Sequence, residues 1–477
     1  MNQKMYGTAP LTARLEPWME ELLNNPSLCR ELIDAHGSPV NLHHFTALGR
    51  NAEELRMAAA AHGIDFDIYF ARKANKTMGA IDQAVREECG VDVASLHELR
   101  QCLGRGVPAE RIILTAAVKS KALLQLAIAS RVTISVDNHD ELLDVIDLAD
   151  GRGGAPSVAL RLAVDHPAVP PTRFGLRASH WLEALRDPEL ASRVTVAGIH
   201  FHLNGYDPSA RALGISEALS LIHRLRDMGH EPTFVDMGGG IPMSYLDCSA
   251  QWDDFWSALE HLPAGDESLT WKSDRLGASG GAPVAGVYPY HQELIRGGWL
   301  SQILDYVPAL GSVSIAASLR TAQIQLRCEP GRSLLDGCGM TIAEVAFTKS
   351  RSDGVALVGL HMNRTQCRST SADFLVDPVL VHASQPRRTR TFDGAFLVGA
   401  YCIEEELLLR RRFEFPAGVA AGDLVAFPNT AGYLMHIVES ASHQLPLAAN
   451  VRWDGQEWVA DDIDRVQQQG ATGSLSL

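Results

Sequence analysis

The chain has 477 residues, 46% of them hydrophobic, which is enough for two or three domains with sizeable cores. Its formal net charge of −15 argues against nucleic acid or an anionic membrane as a partner. The eight cysteines contain no C-x-x-C pair, no run of about 18 apolar residues marks a membrane span, and the N-terminus has no apolar signal core. A reduced, cytoplasmic protein without a metal site is expected.

In chain order, residues 10–36 read as amphipathic helix, broken by Gly37-Ser38-Pro39 before an extended piece. From 46 to 240, helical segments (46–62, 79–88, 96–104, 120–129, 139–149, 180–191 and 209–229) alternate with short apolar strands. The strands are 66–71, 91–94, 111–115, 132–136, 157–163, 195–201 and 233–237. Seven βα repeats at this spacing fit a parallel (β/α)8 barrel better than an open sheet. Residues 248–300 break the rhythm and hold four of the eight tryptophans, with a Gly-rich patch from Gly277 to Gly286. Such a length is unusual for a connection and suits a lid, an oligomer contact or an ornament. One more helix leads to a strand ending in Arg327-Cys328-Glu329, and residues 340–460 then alternate as a β domain. The expected fold is α/β. An N-terminal piece (1–45) packs with the β domain, a barrel (46–325) carries the insertion, and a β domain (326–477) closes the chain with a polar end.

Several strand ends carry chemistry. Phe66–Ala71 runs into Arg72-Lys73-Ala74-Asn75. An isolated lysine after a strand is commonly a surface residue. At the inner end of a buried strand it must be neutral, paired or covalently used. An amine whose pKa such a site lowers is the nucleophile an aldehyde needs. Gly90-Val91-Asp92-Val93-Ala94-Ser95 follows, where Ser95 suits a helix N-cap. In His200-Phe201-His202-Leu203-Asn204-Gly205 two histidines at alternate positions share a face. Asp236-Met237-Gly238-Gly239-Gly240 lets backbone N–H groups approach an anion. Glu329-Pro330-Gly331-Arg332, Gly399-Ala400-Tyr401-Cys402-Ile403-Glu404 and Pro428-Asn429-Thr430-Ala431-Gly432-Tyr433 complete the set. Taken singly, each has an ordinary reading as a turn, a cap or a buried cysteine.

In this order and spacing, over about residues 37–445, the motifs resemble those of the ornithine/diaminopimelate/arginine decarboxylases. These are pyridoxal 5'-phosphate (PLP) enzymes of fold type III, with an alanine racemase-like barrel and a C-terminal β domain. The resemblance implies Lys73 as the Schiff-base lysine, Asp92 and Arg161 beside the cofactor, and His202 stacked on its ring. It implies Gly238, Gly239, Gly240, Gly331, Arg332 and Tyr433 around the phosphate, and Glu329 at the pyridine nitrogen. A carboxylate there keeps the ring an electron sink for a carbanion, whereas alanine racemases place an arginine. Cys402 would return the proton from a loop of the partner subunit, so a homodimer with shared active sites is implied.

The chain also departs from the pattern. Asn204-Gly205 replaces a Gly-Ser pair, so a phosphate contact is lost or supplied by Asn204. Ile403 stands where an acidic residue reads the substrate's distal amine; Glu404 follows, on the opposite face if the segment is extended. The substrate loop is only partly matched, with Arg364 or Arg368 available for a distal carboxylate and Tyr433 shaping the pocket. The expected activity is decarboxylation of an amino acid or diamino acid: diaminopimelate-, ornithine- or lysine-like, D-configured, or a siderophore-type intermediate. A racemase or epimerase of the same fold, and a non-catalytic PLP-binding homologue, are the alternatives.

Overall fold

The computed structural model describes residues 4–465 apart from 151–153, 280–281, 284–287, 289, 310–311, 370–373 and 384–388. Eight parallel strands close a barrel: β1 (Phe66–Ala71), β2 (Gly90–Val93), β3 (Ile112–Leu114), β4 (Thr133–Val136), β5 (Ser157–Arg161), β6 (Thr195–His200), β7 (Phe234–Asp236) and β8 (Gln325–Cys328). β8 pairs in parallel with both β7 and β1, which seals the ring. Helices between the strands cover the outside, so each strand is buried on both faces.

The inside of the barrel follows the two-residue period of its strands. Tyr69, Ile113, Ala159 and Phe234, from β1, β3, β5 and β7, form one apolar layer. Gly90 and Gly198 make room for it, because a Cβ at either would lie 2.6 Å from the Tyr69 or Phe234 ring. Two residues beyond Gly90, Ile113, Ala159, Gly198 and Phe234 the inward positions turn polar, at Asp92, Thr115, Arg161, His200 and Asp236, with Glu329 just past β8; all six are buried, and Ala71 of β1 stays apolar. One strand register thus places an apolar plug below and a ring of chemistry at the C-terminal mouth.

The second unit is a ten-stranded mixed sheet centred on Gly339–Ser350. The N-terminal strand Val40–His43 belongs to it, antiparallel to Gly339–Ser350 and parallel to Ala449–Trp453. Two departures from the sequence reading concern helices. Residues 10–36 form two helices, Pro17–Leu23 and Pro26–His36, because Pro26 opens a new helix capped by the Asn25 side chain. Residues 180–191 divide into Ala178–Ala184 and Pro188–Ser192 for the same reason, with Asp187 capping the second.

In the 248–300 region, Trp252 and Trp256 on helix Ser249–His261 pack with Phe374, Phe413 and Phe427 of the β domain. Trp271 meets Phe396 edge-on at 5.2 Å. Trp299 joins the barrel core and donates its indole N–H to Tyr206 O at 2.6 Å. All four tryptophans are core residues of the single chain.

Candidate active site

Lys73 leaves the end of β1 in a short 3-10 turn, Arg72–Ala74. Its Nζ donates to Asp92 Oδ2 at 2.6 Å, and Thr115 Oγ1 donates to Asp92 Oδ1. Burial works against the Lys73 ammonium, but Asp92, Glu329 and Tyr433 outweigh it and raise the lysine above its ordinary value. The expectation of a lowered lysine is therefore corrected: without cofactor, Lys73 is a paired ammonium, because the next strand aims a carboxylate at it. Ser95 caps the helix after β2, accepting from Glu98 N at 3.2 Å.

Arg161, at the end of β5, donates to Asp137 Oδ1 and Thr115 O at 2.9 Å each, and to His200 Nδ1 at 3.3 Å. Ser135 Oγ lies nearer the same nitrogen, at 2.6 Å, and on the other side of the ring His200 Nε2 lies 3.6 Å from Glu329 Oε1. Among the described residues neither His200 Nε2 nor Glu329 Oε1 has a hydrogen-bond partner, and Asp236 Oδ2 has none either. Burial, with Asp92 and Asp236 close by, pushes the Glu329 carboxyl well above the ordinary range, and burial pushes Asp236 up to about 6.

His202 is held edge-on by Phe174, with ring centroids 5.6 Å apart. Burial, reinforced by Lys73 and Arg211, pulls it down to about 3, so its imidazole is neutral. His202, Asn204, Gly205, Tyr206, Gly240, Tyr288, Gly331, Arg332 and Tyr433 line a cavity of about 190 Å³. The Arg332 guanidinium lies 4.0 Å from the Tyr288 ring centroid and donates to Gly432 O and Ser369 Oγ at 3.2 Å each. A Cβ at Gly331 would fall 2.6 Å from Tyr433 Oη. Tyr433, at φ 70°, is pinned to the lysine segment by its N–H on Ala74 O at 2.8 Å. Gly238 and Gly240 take φ of 67° and 79°, which a side chain rarely tolerates.

The arrangement fits PLP on its own terms. A lysine amine stands at the barrel mouth, and an unpartnered buried carboxyl lies among the inward-facing groups. Glycine-lined walls with an arginine and a phenol suit a phosphate.

Other expected residues lie elsewhere. Cys402 is exposed and lines none of this cavity, so it is not the buried structural cysteine of the ordinary reading. Residues 401–405 form bends and turns rather than a strand, so the opposite-face argument for Glu404 does not apply. Glu404 is exposed. Arg364 donates to Glu405 O at 3.0 Å and lies 3.6 Å from Glu406 Oε2, while Arg368 donates to Leu407 O at 3.2 Å. Within the chain both arginines brace the 405–407 segment instead of the cavity.

The sequence reading missed Tyr206, Tyr288 and Arg211. Tyr288 sits in the insertion, where no period marks it. Arg211 carried a usable signal, since it falls on the same helix face as Ile215, Ala218 and Ile222.

A family model described as "Pyridoxal-dependent decarboxylase, pyridoxal binding domain" matches residues 49–263. Over 416 residues, 87% of each chain, the protein is 31% identical to the uncharacterized protein y4yA of Sinorhizobium fredii. It is 22% identical over 462 residues to the diaminopimelate decarboxylase of Zymomonas mobilis, covering 91% of this chain and 93% of that one. The fold is similar to that of diaminopimelate decarboxylase from Helicobacter pylori complexed with L-lysine, with a TM-score of 0.67 at 17% identity over 93% and 100% of the two chains. With this barrel, this β domain and this lysine-to-glutamate arrangement, the chain belongs to the PLP-dependent decarboxylases of fold type III.

Proposed function

We propose that this protein removes CO₂ from an amino acid carrying a second polar group at its far end, a diaminopimelate-, lysine- or ornithine-like compound of either configuration. PLP, when bound, supplies the electron sink that stabilises the carbanion left by CO₂. The observation that carries the reading is Glu329, a buried carboxyl with an unpartnered Oε1 among the inward-facing groups of the barrel mouth. A carboxyl there suits a cationic ring nitrogen, which favours decarboxylation over racemisation.

The chain's own residues then divide the work. Lys73, paired with Asp92, would hold the cofactor through its amine. The neutral His202, held edge-on by Phe174, would pack against the cofactor ring. Arg161 and Ser135 hold the His200 ring beside Glu329. Asp92, Asn204, the glycines 238–240, Gly331, Arg332 and Tyr433 complete the cofactor site. Cys402 returns a proton to the substrate carbon from the partner subunit of a homodimer. The exposure of Cys402 and of Ile403, which keeps 44% of its surface, supports this reading, because the loop is presented outward. Glu404, Arg364 and Arg368 act at the same loop and select the substrate's distal group.

The test is CO₂ release by the PLP-loaded protein from both enantiomers of lysine, ornithine, arginine and glutamate, and from meso-diaminopimelate. Release from one member is the expected result. Loss of optical rotation without CO₂ release would overturn the reading in favour of a racemase.

A further inference from the structure

Arg211, on helix Pro208–Asp227, is completely buried. Among the described residues it has no carboxylate within ion-pair distance, and its Nε and Nη1 have no hydrogen-bond partner. The Asp207 carboxylate nearby is spent on its own helix, accepting from Ser209 N and Ser209 Oγ at 2.8 Å. An uncompensated cation this deep is costly unless an anion arrives.

The guanidinium lies directly behind the glycine wall of the cavity. Its Nη2 donates to Leu203 O at 2.7 Å, Gly205 O at 3.1 Å and Gly239 O at 3.2 Å. A Cβ on Gly240 would meet that nitrogen at 2.4 Å. Three carbonyls from two loops are thus drawn backward onto one cation. Leu203, Gly205 and Gly240 also border the cavity itself. Carbonyls held away from an anion site remove repulsion from it, and the cation behind them adds attraction through one layer of backbone.

We propose that Arg211 is a positioning residue for a phosphate group: it ties the 203–205 loop to the 238–240 loop and supplies the buried positive charge that the Asn204-Gly205 segment does not. The inference rests on the assignment of the glycine-lined cavity to the cofactor's phosphate. It also accounts for an arginine on the apolar face of a helix in an acidic chain.

The experiment compares apoprotein affinities for PLP and for pyridoxal, which lacks the phosphate, by absorbance titration. Variants Arg211→Gln and Arg211→Lys are used, with the ³¹P signal of bound PLP recorded against pH. Arg211→Gln keeps a donor nitrogen but no charge, and is expected to weaken PLP about ten- to a hundredfold while leaving pyridoxal within about twofold. Its bound phosphate should titrate where the wild-type signal is flat. Arg211→Lys keeps the charge and one donating nitrogen, and is expected to hold PLP within about threefold of wild type. Equal weakening of both ligands in Arg211→Gln, or no change in either, overturns the inference. Arg211→Met replaces Arg211→Gln if the latter does not fold. A wild-type protein that binds pyridoxal as well as PLP would instead overturn the phosphate assignment of the cavity.

Discussion

Replacing Asp92 with asparagine should change how fast the apoprotein captures its cofactor, and in a direction opposite to simple damage. Asn keeps the Oδ1 that accepts from Thr115 and removes only the charge facing Lys73. At 2.6 Å the pair is worth between ~1.5 kcal/mol in a water-like medium and ~6 kcal/mol in a partly buried one. Asp92 is buried, but the lysine side chain keeps 36% of its surface, which places the pair near ~3 kcal/mol. That corresponds to about two units in the lysine's pKa, and a neutral-amine fraction about a hundredfold larger at a given pH. The sign follows from the structure: Asp92 holds Lys73 above its ordinary value, so its loss lets burial pull the amine down. The assay incubates apoprotein with PLP and cyanoborohydride and counts modified Lys73 by mass. Wild-type labelling should rise about tenfold per unit from about pH 6 to about pH 9, and the Asp92→Asn profile should lie about two units lower. Superimposable profiles would refute the argument, because Asp92 would then not control the amine.

Glu329→Gln should leave PLP affinity within about tenfold but slow CO₂ release by about 10²–10³, since a carboxyl at the ring acts chiefly on the carbanion-like transition state. Saturating PLP that restores full turnover would contradict this. Cys402→Ala and Lys73→Ala should each be nearly inactive alone. Mixed and reassembled, they should regain up to roughly a quarter of wild-type activity through hybrid dimers, and a mixture that stays silent would place Cys402 outside the partner's site. Acid should destabilise the apoprotein. His202 is pulled to about 3 and His43 to about 4, so each is neutral when folded and protonated when unfolded. Stability then falls as pH drops from about 6.5 toward those values, by up to about 1.4 kcal/mol per unit per histidine. Asp236, raised to about 6, works the other way, losing stability as pH rises from about 4 to 6. His202→Gln should flatten the melting temperature between pH 6.5 and 5 relative to wild type, and an unchanged slope would exclude His202 as a source.

What could be read from the sequence was whatever a short repeat encodes. The alternation of β1 and of β5 to β8 sets Tyr69, Ala159, Gly198, Phe234 and Arg327 inward, and so sets Ala71, Arg161, His200, Asp236 and Glu329 inward two residues later. The strand ends therefore signalled both barrel and chemistry. What depends on long-range contacts left no such trace. Nothing local says that Tyr288, inside an irregular insertion, will seat on Arg332, or that Tyr433 will hang from Ala74 O. Arg364 and Arg368 looked free because their partners, Glu405, Glu406 and Leu407, lie some forty residues on. The lysine's raised pKa was missed because burial can be guessed from one strand, whereas a carboxylate supplied by the next strand cannot.

The charges around the barrel mouth have a common logic. Asp92, Asp236 and Glu329, at the ends of β2, β7 and β8, form an acidic pole within the strands. Arg332 and Arg211, reached through the loops after β8 and β6, form a basic pole at the glycine-lined cavity. Each pole is costly alone: burial and like charges raise Glu329 and Asp236, while Arg211 has no carboxylate within ion-pair distance among the described residues. A ligand with a cationic ring nitrogen at one end and a phosphate at the other relieves both at once. The two ends are separable by experiment. Loss of Glu329 should be felt in the rate with binding retained, and loss of Arg211 in binding of the phosphorylated form alone.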